Sequence, residues 1–164
     1  MAATPSAGLL LFRRTGTPPR LEVLLAHPGG PYWRHKDNGA WSIPKGEFGA
    51  EEDPLAAARR EFTEELGLPA PDGPFVPLGS SRQASGKQVS AWAVQGDVAP
   101  DSAVSNTVEI EWPPKSGKRI TIPEIDRVAW FDLSTAREKI NAGQASFLDR
   151  LAGLLGAPGG HPSA

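Results

Sequence analysis

GEFGAEEDPLAAARREFTEELGL, residues 46–68, is the stretch on which the reading of this chain turns. Asp53 stands where an N-cap is wanted, Pro54 suits the first helical position, and Gly67 followed by Pro69 closes the segment. At about 100° per residue, Leu55, Ala58, Phe62 and Leu66 fall on one apolar stripe, as expected of a helix packed on a core. Glu61, Glu64 and Glu65, spaced i, i+3 and i+4, share a second face beside that stripe. Three adjacent carboxylates repel one another, and they lie too far along the helix to benefit from the N-terminal dipole. A hard divalent cation relieves the repulsion, and magnesium accepts such oxygen ligands while keeping places for water and phosphate. Glu52 precedes the helix where the chain can fold back toward the cluster. Arg60 can orient a carboxylate through a bidentate contact.

A lone Glu-Glu pair on a helix is ordinarily a solvated face. The spacing here is far more specific: Gly46, five residues, Glu52, seven residues, Arg60-Glu61-Phe62, one residue, Glu64-Glu65, one residue, Gly67-Leu68. Seven fixed identities in that order coincide by chance on the order of once in 10⁸ starting points at ordinary residue frequencies. The stretch resembles the Nudix box at every specified position. Residues 6–12 (SAGLLLF), 21–33 (LEVLLAHPGGPYW), 41–48 (WSIPKGEF) and 105–140 are also similar to a bacterial group of nucleotide pyrophosphohydrolases within that family.

The resemblance implies an α/β (α+β) fold, a Nudix-type α/β/α sandwich with a mixed β-sheet. It implies metal-dependent hydrolysis of a pyrophosphate bond in a nucleoside diphosphate linked to another moiety, with water attacking phosphorus. By the same resemblance Glu61, Glu64 and Glu65 are metal ligands and Glu52 is a further ligand or a base. The main-chain carbonyl of Lys45 joins the metal shell, and Gly46 and Gly67 permit tight turns. The implied cofactor is Mg2+, with Mn2+ as a substitute. A carboxylate less engaged by metal would take the proton, either Glu64 or Glu65 or, outside the box, Glu109, Glu111 or Glu124.

A polyphosphate substrate needs cations near the box. Lys45 opens the box, Arg34, His35 and Lys36 follow Tyr32-Trp33, and Lys115, Lys118 and Arg119 surround Ser116-Gly117. The expected substrate-binding set is Lys45, Lys115, Lys118, Arg119 and Arg34, together with Trp33 and the carboxylates Glu109 and Glu124. Trp33 and Trp112 lie at loop edges where a base can stack, whereas Trp41, Trp92 and Trp130 lie in apparent strands and belong in the core. The basic loop at 115–119 inclines the substrate toward a longer polyphosphate, such as a diadenosine polyphosphate. Nucleoside triphosphates, nucleotide sugars and inositol pyrophosphates also fit a metal–carboxylate site. A non-catalytic, nucleotide-sensing module is the alternative of another class. Such modules usually lose box carboxylates, and this chain keeps all four.

The rest of the chain sets bounds. With 164 residues, 39% hydrophobic and 22% charged, it is long enough for a real core. A net charge of −2 gives no reason to expect nucleic acid or a membrane surface as partner. The absence of cysteine excludes disulfides, thiolate metal sites and cysteine nucleophiles. The amino terminus lacks a basic segment before its short apolar run, and no apolar stretch approaches 18 residues, so we expect no signal peptide, no transmembrane helix and a cytoplasmic location. The partner is a small nucleotide or polyphosphate, and the chain a monomer or homodimer. Strands are expected at 7–13, 21–27, 40–43, 79–83, 88–95, 108–112 and 127–131. Helices are expected at 135–141, capped by Ser134, and at 146–155. Residues 1–155 read as a single Nudix hydrolase domain and 156–164 as a flexible C-terminal tail.

Overall fold

A computed structural model describes residues 4–156, so the expectation for the tail falls, apart from Gly156, outside the described residues. The apolar run near the amino terminus forms β1 (Ser6–Thr15), which pairs antiparallel with β2 (Arg20–Pro28) across a turn at 16–19. β1 also pairs antiparallel at its start with β3 (Lys45–Glu47), and in parallel with β5 (Gln88–Gln95). β4 (Val76–Arg82) and β8 (Ile125–Asp132) complete a six-stranded mixed sheet of order β4-β5-β1-β2-β8, with β3 joined to β1.

β1 and β2 are apolar nearly throughout because both faces of the sheet are covered. Leu9 and Leu11 of β1 and Leu24 and Ala26 of β2 face α1 (Pro54–Leu66), packing on Ala57, Ala58, Phe62 and Leu66. Leu10, Phe12, Val23 and Leu25 face the opposite side. There α2 (Leu133–Lys139) and α3 (Ala145–Leu155) supply Leu133, Ala136, Phe147, Leu148 and Leu151. The period-2 alternation of the strands thus splits one apolar run between two cores, and the result is an α/β/α sandwich. β6 (Thr107–Glu111) and β7 (Arg119–Pro123) form a separate antiparallel hairpin. No helix among the described residues is long and apolar enough to cross a membrane.

Four local expectations are corrected. The strand expected at 40–43 is reduced to isolated bridges, Ser42 with Ala26 and Trp41 with Ile140, and the regular pairing begins at Lys45. The apolar stripe of α1 is shifted: Ala57 is buried and Leu55 only half-buried. α2 begins two residues early, because Asp132 rather than Ser134 accepts the Thr135 N–H at 2.8 Å and caps it. In α3, Ala152 takes the fully inward place expected of Leu155, which is only partly buried.

Candidate active site

The box helix is bounded as its sequence dictates. Asp53 accepts the Ala56 N–H at 3.0 Å, and Gly67 closes the helix at φ 66°, where its N–H reaches the Thr63 carbonyl. α1 packs against β1 and β3, which brings its C-terminal half onto the backbone of residues 45–47. The approach is so close at Gly46 that a Cβ there would lie 2.0 Å from the Glu61 carboxylate. Glu65 folds the same way and accepts the Lys45 N–H at 3.1 Å. Glu64 stays on the exposed flank.

Arg60 organises the remaining carboxylates. Its Nε and Nη2 donate to the two oxygens of Glu52, both at 2.8 Å, the bidentate geometry anticipated from its charge and shape. Its Nη1 donates to Glu61 at 2.8 Å and to Glu64 at 3.2 and 3.3 Å. The sequence-predicted cluster is therefore assembled, but in two parts. Glu52, Glu61 and Glu64 share Arg60, whereas Glu65 belongs to Lys45 and the interior. The sequence placed all three helix glutamates beside the apolar stripe. Glu65 is instead only 5% exposed and lies on the buried side.

Burial has electrostatic consequences. Removal from water, then the negative charge of Glu124, pushes the Glu65 carboxyl up to about 8, against the pull of the Lys45 N–H and ammonium. The Glu61 carboxyl is also raised, by burial first, with Arg60 opposing. Burial lowers the Lys45 ammonium, and the Glu65 charge opposes that shift. Glu52 and Arg60 shift in mutually consistent directions, the acid down and the guanidinium up, chiefly through their shared hydrogen bonds.

Glu124 approaches the cluster from outside the box. It accepts from Asn106 Nδ2 at 2.9 Å and donates its N–H to the Asn106 carbonyl at 2.9 Å. The Asn106 N–H reaches the Glu64 carbonyl at 3.2 Å. Asn106 thus ties Glu124 to the end of the box helix, a role its sequence context does not announce. Lys87, also unforeseen, pairs with Glu47 at 2.7 Å, and its charge is felt at Lys45. It lies beyond the β4–β5 turn, so only strand pairing reveals it.

The other expected substrate residues are further dispersed. Glu111 accepts the Lys115 and Gly117 N–H groups at 2.9 and 3.1 Å and so holds the tip of the β6–β7 hairpin. Arg119 lies 3.8 Å from Glu109 on the same hairpin, and the side chains of Lys115, Lys118 and Arg119 are exposed. Arg34 and His35 are exposed, and Lys36 lies 3.8 Å over the Tyr32 ring. Trp33 is half-buried against the core and lines a cavity of about 360 Å³ that also reaches Lys45, Gln83 and the 141–143 segment. Trp41 is buried as expected, while Trp92, Trp112 and Trp130 are only partly so. A wider, open groove of about 740 Å³ runs between Arg13, Asp97 and Trp130 and contains no box residue, so its size does not make it the site.

A family model for the NUDIX domain matches residues 2–151, and the chain belongs to the Nudix family. With all four box glutamates and the arginine present, it is a pyrophosphohydrolase of that family. No curated protein matches its sequence. Among solved structures it is similar to an Ap4A hydrolase of C. elegans in a binary complex. The identity is 21%, the TM-score is 0.61, and the match covers 94% of this chain and 98% of the other. The NUDIX domain of Shewanella oneidensis NrtR, complexed with ADP ribose, has 17% identity and a TM-score of 0.63 over 94% and 90% of the two chains. RenU, a Nudix hydrolase of M. smegmatis, has 24% identity and a TM-score of 0.56 over 95% and 88%. At these identities the likeness establishes the fold.

Nudix enzymes generally use divalent metal ions. The donor set here suits one: carboxylate oxygens, two of them on side chains whose acidity burial and mutual repulsion have weakened. The Gly46 backbone leaves the Glu61 carboxylate the room that a Cβ would take. Among the described residues no three such groups already converge on one cation position, because Arg60 holds Glu61 and Glu64 and the Lys45 N–H holds Glu65.

Proposed function

We propose that this protein hydrolyses a pyrophosphate bond in a nucleoside diphosphate linked to a further phosphate-bearing group, a nucleoside triphosphate or a dinucleoside polyphosphate, with Mg2+ as its ion. The observation that carries the reading is the packing of Glu61 and Glu65 onto the backbone of residues 45 and 46, which gathers two partly or fully desolvated carboxyl groups beside the start of β1. Glu61, Glu64, Glu65 and the Lys45 carbonyl would hold the ion. Bound there, a divalent cation offsets phosphate charge and acidifies and aims the attacking water.

The chain's own groups supply the rest. Arg60 holds Glu52 by two bonds and keeps it within reach of the cluster. Lys45 places a positive charge between the carboxylates and the adjoining cavity, where a phosphate would lie. Glu124, held by Asn106, would be the carboxylate outside the helix that takes a proton from water. The exposed cations of the β6–β7 hairpin would meet the distal phosphates of a longer chain such as a dinucleoside polyphosphate.

The test is Mg2+-dependent phosphate or pyrophosphate release over a panel of nucleoside triphosphates, dinucleoside polyphosphates and nucleotide sugars. Product analysis in ¹⁸O-labelled water would mark the phosphorus attacked. Hydrolysis of the first two classes is expected. Inactivity across the whole panel would overturn the reading in favour of a nucleotide-binding module.

A further inference from the structure

Gln144 is a polar side chain with no exposed surface, and the chemistry above does not use it. Its Oε1 accepts the buried main-chain N–H of Ile43 at 3.0 Å. Its Nε2 donates to Ser42 Oγ at 3.0 Å and to Gln83 Oε1 at 3.1 Å. Every hydrogen-bonding group of this amide is therefore engaged, as burial requires. The orientation is dictated by the backbone. Turning the Gln144 amide over would set its NH2 against the Ile43 N–H, donor against donor.

That orientation passes to Gln83. Because Gln144 offers it an N–H, Gln83 must present Oε1, and its own NH2 points away from the pair. Among the described residues that NH2 has no hydrogen-bond partner. Gln83 lines the 360 Å³ cavity with Trp33 and Lys45. The volume is in the range of pockets that take small ligands, roughly 300–1,000 Å³. Lys45 joins the cavity to the carboxylate cluster, since its N–H is bonded to Glu65. A nucleotide with phosphates at Lys45 would place its base in this cavity, alongside the Trp33 ring.

We propose that Gln83 is a specificity-determining residue, held by Gln144 so that its amide N–H donates to an exocyclic carbonyl oxygen of a nucleobase, and that the pocket favours oxo-substituted over amino-substituted rings. The proposal rests on the reading that the substrate is a nucleotide. An oxo group turns lone pairs toward the donor, whereas an amine at the same place sets N–H against N–H in a partly dehydrated pocket. Among nucleoside triphosphates it ranks 6-oxopurines above adenosine, and among dinucleoside polyphosphates it disfavours the diadenosine members.

Inosine and adenosine nucleotides differ only in the purine edge and so isolate the effect. The wild-type full-length protein should show kcat/KM for ITP about tenfold or more above that for ATP, a ratio that one unmatched hydrogen bond supplies. Equilibrium dialysis with IDP and ADP should show the same preference in binding. Gln83→Glu replaces the donor by an acceptor at a half-exposed position and should lower the ITP-to-ATP ratio at least tenfold. Gln144→Leu frees Gln83 to turn over and should bring the ratio toward one, a change that loss of stability alone would not produce. Equal binding of IDP and ADP by the wild type, no binding of either, or an unchanged ratio in Gln83→Glu overturns the proposal. Should IDP outbind ADP in a protein that hydrolyses no nucleotide, the pocket assignment stands and the hydrolase reading fails. Hydrolysis with no base preference gives the converse.

Discussion

The carboxylate cluster draws five of its ionisable side chains from residues 52–65, within or just before one helix. The cavity beside it is walled by Trp33, Lys45, Gln83 and the 141–143 segment, and oriented by Gln144. The first region follows from helical geometry, because i, i+3 and i+4 positions meet wherever the helix lies. The second exists only because β4, the Ser42–Ile43 segment and the start of α3 come together across the sheet. Its key hydrogen bonds span 61 to 102 residues of sequence. On the proposed reading, catalysis would rest on a local motif, while selectivity would depend on distant parts of the chain agreeing.

Substitutions in the two regions should separate along this line. Glu65→Gln, and independently Glu64→Gln, should lower Mg2+-dependent turnover by a factor on the order of 10² to 10⁴. Circular dichroism and the melting profile should change little, since Phe62 and Leu66 keep their packing. Near wild-type rates in both variants would show that the box is not the catalytic centre.

Gln144→Ala should behave oppositely. It leaves the buried Ile43 N–H unpaired, so denaturant unfolding should register a loss of about 1–3 kcal/mol. Unchanged stability would mean that the pocket wall is not held by this amide.

Smaller effects sharpen the contrast further. Asp132→Ala removes the cap of α2, the helix that leads into the cavity wall, and should cost about 1 kcal/mol. The Thr135 N–H holds the Asp132 carboxyl below its ordinary value. Its contribution is therefore complete above pH ~4 and lost as pH falls through the lower folded value. The stability gap between wild type and Asp132→Ala should accordingly narrow in acid. A gap that widens below pH ~4 would contradict the capping role. The smallest effect belongs to the hairpin tip. Lys115→Ala with Lys118→Ala should raise KM for a dinucleoside tetraphosphate about two- to fivefold, as exposed charges do, while leaving a triphosphate unaffected. A uniform change for both substrates would place these lysines nearer the reacting phosphates.

The α1 boundaries, the β1–β2 pairing and the identity of the charged cluster were all legible in the sequence, because Asp53, Pro54 and Gly67 act within one turn of where they stand. The environment of each carboxylate was not. Glu64 and Glu65 are adjacent in sequence and identical in type, yet one is exposed and shares Arg60 while the other is buried on the Lys45 N–H. The strand expected at 40–43 failed for a related reason: Trp41 and Ser42 satisfy single bridges to Ile140 and Ala26, partners no local pattern names.

By itself, then, the amino-acid order determined the helix, its charge spacing and the class of reaction, since these depend on contacts between near neighbours along the chain. Only the tertiary structure decided which glutamate loses its water, that Asn106 ties Glu124 to the box helix, and which way the Gln83 amide turns. Desolvation and hydrogen-bond direction depend on what packs from elsewhere in the chain, and that is set by the fold as a whole.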